Sequence, residues 1–232
     1  TARDPSAQTR SSSVLRSKEN WLLLCNAQSL LYKMDEMRAL VTILKPTFVC
    51  ITETWLTPAI DNDLVSIPGS TIFRNDRRDD TSDSRRGGGT VIFASYAVMP
   101  VNIDAGVISL SKCNVEKPKG IECNLVKFCD PNIAYLLCIY IPPALSAETF
   151  SLFQDYIVHT FDCLLNATPN ADIFICGDLN RYDFSFLTRL FDIYNIVKEP
   201  TFGNAILDKF YCNDNLMNTF NGRTRVKGTF NK

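Results

Sequence analysis

Four times in this sequence an apolar run stops at a polar residue: LLLC gives way to Asn26, FVCIT to Glu53, LLCIY carries Tyr140 ahead of two prolines, and IFICG ends on Asp178 with Asn180 close behind. Apolar runs this short and continuous are typical of strands buried on both faces, which requires sheets covered on both sides. Polar groups placed where such strands stop are held rigidly and share one rim. The pattern restricts the chain to a layered architecture and places its candidate chemistry along one edge.

Order is expected from Trp21 onward. WLLLCN reads as a first strand, and Met34, Met37, Leu40, Val41 and Leu44 recur at helical spacing among charged residues until Pro46 closes the helix. TFVCITE follows as a second strand, so residues 21 to 53 form a parallel strand-helix-strand unit with Asn26 and Glu53 at the same carboxyl edge. STIFRN, TVIFASYAVMPVNI, GIECNLVKF and IAYLLCIYI read as strands joined by turns, hence antiparallel, with NDRRDDTSDSRRGGG as a loop. Ser146 can cap a long helix that aligns Phe150, Phe153, Ile157, Phe161 and Leu164 on one face. DIFICGDLN is another buried strand, FSFLTRLFDIYNI a second helix, and ILDKFYC a last strand near Asp208. No repeat or linker interrupts residues 20 to 212, which read as one α+β domain between a leader at 1–19 and a tail at 213–232.

The charge balance excludes several classes. With 24 Lys and Arg against 25 Asp and Glu, affinity for an anionic partner has to come from a local patch. His159 is the one histidine, so a two-histidine metal site is impossible, and helical spacing puts it on the polar face of the long helix. Nine cysteines with no CxxC spacing, mostly inside apolar runs, read as reduced, buried small hydrophobes and point to an intracellular setting. No apolar stretch reaches the ~20 residues of a membrane span, and the Ser- and Arg-rich start lacks the apolar core of a secretory signal.

Carboxylate and amide oxygens gathered on one rim form a hard oxygen site suited to Mg²⁺, whose natural substrate is a phosphoester. Each residue also has a plainer reading. Glu53 fits a solvated strand end, Gly177, Asp178 and Asn180 fit a turn, Tyr140 fits a half-buried core tyrosine, and Asn26 fits an Asx turn. RRGGG matches neither a P-loop nor a dinucleotide fingerprint and fits a hairpin end.

Taken in order, Asn26-Ala-Gln-Ser-Leu, Ile-Thr-Glu53-Thr-Trp-Leu, Arg86-Gly-Gly-Gly-Thr, Ile-Tyr140-Ile-Pro-Pro, Gly177-Asp178-Leu-Asn180 and Ile-Leu-Asp208 resemble the endonuclease/exonuclease/phosphatase superfamily. The ETWL and RGGG pieces are most similar to the apurinic-like endonuclease domain of non-LTR (LINE-type) retrotransposons. The resemblance implies a four-layer α/β/β/α sandwich that nicks DNA with Mg²⁺ or Mn²⁺ to leave a 3′-hydroxyl primer, in a nuclear protein whose parent carries a reverse transcriptase. Carried over by position, it makes Glu53 the principal metal ligand and Asn26 its partner. Tyr140 becomes the phosphate contact, Asp178 the proton-handling aspartate, Asn180 the amide that holds phosphate and Asp178, and Asp208 the aspartate that orients a catalytic histidine.

That histidine belongs to a Ser-Asp-His motif, and none occurs in the 24 residues after Asp208. The expectation is therefore a fold lacking its C-terminal strand, as a fragment or a decayed copy, with impaired nicking. Ile141 and Gln28 replace residues that are basic in many retroelement relatives and acidic in repair enzymes, which weighs against abasic-site repair. DNA contacts are expected from Arg74, Arg77, Arg78, Arg85 and Arg86, although Asp76, Asp79, Asp80 and Asp83 interleave them as in a solvated loop. An inactive remnant that binds metal and nucleic acid, or a phosphoesterase of the same superfamily, remains as an alternative.

Overall fold

The computed structural model describes residues 21–77, 87–98, 116–129 and 132–217. Its strands are β1 (Leu22–Asn26), β2 (Phe48–Thr52), β3 (Ser70–Asn75), β4 (Thr90–Ser95), β5 (Glu122–Cys129), β6 (Ile133–Tyr140), β7 (Asp172–Asp178), β8 (Ile193–Asn195) and β9 (Asp208–Asn213). The helices are α1 (Met34–Leu44), α2 (Ala147–Ala167) and α3 (Ser185–Phe191).

Two parallel strand-helix-strand units set the frame. In the first, β1 pairs with β2 from Leu22↔Phe48 to Asn26↔Thr52 across α1. In the second, β6 pairs with β7 from Ala134↔Asp172 to Tyr140↔Asp178 across α2. The remaining pairings are antiparallel, giving a four-stranded sheet in the order β1-β2-β4-β3 and a five-stranded sheet in the order β5-β6-β7-β9-β8. Because side chains alternate along a strand, each sheet has two apolar faces. Phe48 and Cys50 of β2 meet Leu136 and Cys138 of β6 and Phe174 and Cys176 of β7 between the sheets. Val49 and Ile51 instead pack on Met34 and Met37 of α1. Leu137, Ile139, Ile173 and Ile175 pack on Phe153, Ile157, Phe161 and Leu164 of α2. The result is the expected four-layer α/β/β/α arrangement.

Local signals hold where their chemistry is explicit. Ser146 caps α2 by accepting the Thr149 N–H at 3.1 Å, and α1 stops at Leu44, with Lys45 left-handed ahead of Pro46. Two expected elements differ. FSFLTRLFDIYNI is not one helix: Asp192 adopts a left-handed conformation (φ 52°), ends α3, and frees Ile193–Asn195 to pair with β9. TVIFASYAVMPVNI is not one strand either, since β4 turns at Tyr96 after Ser95. The expected missing strand, and Arg78, Arg85 and Arg86, concern chain outside the described residues.

Candidate active site

The carboxyl ends of β1, β2, β6 and β7 and the start of β9 come to one edge. Asn26 holds the centre: its Nδ2 donates to Glu53 Oε1 at 3.2 Å and to Asp178 Oδ2 at 2.8 Å. One amide thus bridges carboxylates from two sheets. The Asn26 Oδ1 accepts the Gln28 N–H at 3.2 Å, so the Asx turn read from sequence forms as well. Tyr140 pairs in register with Asp178, and the Glu53 carboxylate acts on its phenol. Asp208 is the register partner of Asp178 on its other side. Asn180 donates its backbone N–H to Asp178 Oδ1 at 3.2 Å and its side-chain amide to the Ile141 carbonyl at 2.7 Å, which fixes the chain just beyond Tyr140.

The rim is conformationally strained. Five of the seven non-glycine residues with left-handed φ among the described residues are Gln28, Ser29, Glu53, Trp55 and Asn180, all just past the strand ends; such conformations cost about 1–3 kcal/mol each and cluster at functional sites. Backbone bonds over-determine them. Ser29 N–H donates to the Glu53 carbonyl at 3.0 Å, Leu30 N–H to Thr54 at 2.9 Å and Trp55 N–H to Gly88 at 3.0 Å. Gly88 and Gly89, whose carbonyls accept the Trp55 and Thr54 N–H groups, therefore brace the loop that carries Glu53.

Electrostatically the site is a nest of carboxylates. Burial raises Asp178 above the usual carboxylate range; hydrogen bonds from Asn26 and Asn180 oppose the rise and the Glu53 charge adds to it. Asp208 is pushed up to about 6, by burial and then by the charge of Asp178. Its Oδ1 is buried with no hydrogen-bond partner among the described residues. Burial and the Glu53 charge hold the Tyr140 phenol well above its ordinary value, so it remains a proton donor. Glu53, Asp178 and Asp208 bring carboxylate oxygens to this rim, donors of the kind a hard divalent cation takes, and the Asn26 amide stands between two of them as a hydrogen-bond donor.

Two of the arginines expected to meet DNA, Arg74 and Arg77, lie within the described residues and bond inside the protein. Arg74 donates to Asp76 Oδ2 at 2.6 Å, to Asn62 Oδ1 at 2.9 Å and to the Thr57 and Ile60 carbonyls. Arg77 pairs with Glu122 Oε1 at 2.7 Å. Burial works against the Arg77 charge, while Glu122 and, to a smaller extent, Tyr140 and Glu53 favour it, so that on balance the guanidinium is held above its ordinary value. His159 lies on α2 with Nε2 3.7 Å from Cys163 Sγ, and no described contact joins it to the rim.

Sequence reading passed over several neighbours. Trp55 Nε1 donates to Glu53 Oε2 at 3.3 Å, and ETWL places it two residues away, a usable signal. Tyr182 gathers the Leu145 N–H at 2.8 Å and the Leu145 carbonyl at 3.1 Å, a long-range contact with no local signature. Exposed Arg181 and Phe202 flank a groove of about 750 Å³ that includes Asn180 and Leu207.

Solved structures share this architecture. An AP endonuclease from Leishmania major is 15% identical, with a TM-score of 0.57 over 85% of this chain and 80% of that one. A D. rerio TDP2 complexed with a single-strand DNA product is 10% identical, with a TM-score of 0.57 over 83% and 82%. The endonuclease domain of TRAS1, a telomere-specific non-LTR retrotransposon, is 14% identical, with a TM-score of 0.52 over 84% and 85%. Likeness at this identity is likeness of fold. No curated protein matches the sequence. The model of the Endonuclease/Exonuclease/phosphatase family, whose members are hydrolytic nucleases and phosphoesterases, matches residues 21–229, and this chain belongs to that family.

Proposed function

We propose that the chain is a DNA-nicking phosphodiesterase domain derived from a retrotransposon, dependent on Mg²⁺ or Mn²⁺, and that the 232-residue polypeptide cleaves poorly. The observation that carries the hydrolytic reading is the Asn26 amide bridging Glu53 and Asp178 at a rim shared with Tyr140 and Asp208. Glu53, with the Asn26 side chain beside it, would hold the cation, which when bound neutralises charge on the phosphate. Tyr140, kept protonated, donates to a phosphate oxygen. Asp178, raised toward neutrality, takes a proton from the attacking water, and Asn180 fixes its orientation. The retrotransposon reading rests on the ETWL and RGGG pieces of the sequence, of which Trp55 and Gly88 are joined by a backbone hydrogen bond.

Impairment rests on Asp208. The aspartate that in the family orients a histidine has a buried Oδ1 with no partner among the described residues, and the chain's one histidine is on α2. Loss of one general acid or base costs roughly 10²–10⁴-fold in rate. The test is plasmid nicking with Mg²⁺ beside thermal melting. Metal-dependent stabilisation lost in Glu53→Gln, with trace nicking lost in Asp178→Ala, supports the proposal. Robust nicking by the 232-residue chain sinks the impairment; stabilisation with no nicking at all makes the domain a binding remnant. Phosphomonoester turnover without DNA cleavage makes it a phosphoesterase, and no response to Mg²⁺ or Mn²⁺ removes the metal site.

A further inference from the structure

Beneath the rim, in the core between the sheets, three cysteines meet. Cys50 comes from β2, Cys138 from β6 and Cys176 from β7, each 0% exposed. Their sulfurs all lie within 4.8 Å of one another. Cys138 and Cys176 are register partners on parallel strands, and Cys50 reaches them from the opposite sheet, where β2 packs across β6 and β7. The period of two that turns Phe48, Leu136 and Phe174 inward turns these cysteines inward too. All three are free.

The triangle has the dimensions of a coordination site. A metal–sulfur bond of about 2.3 Å puts three sulfurs around one ion roughly 4 Å apart, within the spacing here. No carboxylate or imidazole joins the group among the described residues, so the donors are soft, and soft thiolates select Cu⁺ and Zn²⁺. Structural zinc is almost always four-coordinate, whereas this site offers three ligands in an apolar surround that includes Phe48, Phe174 and Phe210.

We infer that Cys50, Cys138 and Cys176 form a binding site for a soft, thiophilic cation, with monovalent copper preferred to zinc. Each Cu–S bond that replaces an S–H bond releases a proton to the buffer, copper stays monovalent, and no electron moves. The ion ties β2 to β6 and β7 two or three residues before Glu53, Tyr140 and Asp178, so it clamps the two sheets where the rim is built. Because the site is closed, it fills as the chain folds, and binding adds directly to folding stability.

The 232-residue chain is refolded without oxygen, under a thiol-free reductant, with Cu⁺ shared against a chromophoric Cu⁺ chelator, and in a parallel arm with Zn²⁺. One equivalent of Cu⁺, a sulfur-to-copper charge-transfer band and a higher melting temperature are expected. Cys176→Ala and Cys50→Val each weaken Cu⁺ binding by about 100-fold, while Cys129→Ala and Cys163→Ala, outside the triangle, leave it unchanged. Cys50→Val keeps the core filled, and melting of every metal-free variant separates loss of a ligand from loss of fold. Zinc held more tightly than copper overturns the preference for copper. No uptake of either ion by wild type, or uptake indifferent to Cys176→Ala and Cys50→Val, overturns the site and leaves three buried small hydrophobes.

Discussion

Replacing Gly177 with alanine tests the close approach of strands on which the site depends. Gly177 lies between Cys176 and Asp178 in β7, opposite Ile139 of β6, with φ 145°. A Cβ added there would fall on the Ile139 carbonyl, with the Ile139 backbone nitrogen and carbonyl carbon close behind. Backbone cannot move aside by changing rotamer, so the strands must separate. Holding a non-glycine residue in that conformation costs about 1–3 kcal/mol, and forcing extra volume into a packed interior about as much again. The total is about 2–6 kcal/mol; at about 2–4 °C per kcal/mol for a domain of this size, the melting temperature should fall on the order of 10 °C. Gly69→Ala is the control, because Gly69 has φ 79° and nothing within 4 Å of the added Cβ, leaving only the backbone cost of about 1–2 kcal/mol. Both variants are melted by far-UV circular dichroism at pH 7.5, with and without Mg²⁺. Gly177→Ala should also lose metal-dependent stabilisation, since the strands it parts carry Tyr140 and Asp178. A Gly177→Ala melting temperature no lower than that of Gly69→Ala would refute the reasoning.

Three further outcomes are expected. Asp208 is raised in the folded state to about 6 from an ordinary 3.8, so its favourable contribution is present below pH 4 and lost as pH rises through 6; Asp208→Asn should therefore be up to about 3 kcal/mol more stable than wild type at pH 8, with the gap closing toward pH 4. A gap that ignores pH in melts across that range contradicts this. Arg77→Met leaves Glu122, 4% exposed, without its cation and should destabilise by about 3 kcal/mol, most of it recovered by adding Glu122→Gln; lost DNA affinity at unchanged stability would instead make Arg77 a DNA contact. Asn26→Ala removes the donor between Glu53 and Asp178 and should cost about 1–3 kcal/mol, more as pH rises because that hydrogen bond favours the charged form of Asp178, as denaturant titrations at pH 5 and pH 8 would show.

Much of the layering was legible because burial imposes a period. Phe48 and Cys50 point one way and Val49 and Ile51 the other, and LLLCN, FVCIT and DIFICGD run apolar to their ends because both faces are covered. Helix ends with explicit chemistry, such as Ser146 and Pro46, were equally plain. What escaped were decisions with no local signature. Asp192 takes a left-handed turn that few residues favour, and only pairing with β9 makes Ile193–Asn195 a strand. Arg74 and Arg77 looked like surface charge beside a polar loop, yet their partners Asn62 and Glu122 lie 12 and 45 residues away.

The sequence by itself determined that this chain has two-faced sheets, covering helices, and a polar residue wherever a buried strand stops, because solvation and backbone geometry act on neighbouring residues. Only the tertiary structure decided that Asn26 stands between Glu53 and Asp178, across 27 and 152 residues of chain, and that Asp208 keeps a buried oxygen with no partner among the described residues. It also decided that three of nine cysteines share one apolar triangle. Hydrogen bonds, charge repulsion and metal coordination fall off over a few ångströms, so they act between groups that folding brings together, and spacing along a chain does not measure that distance.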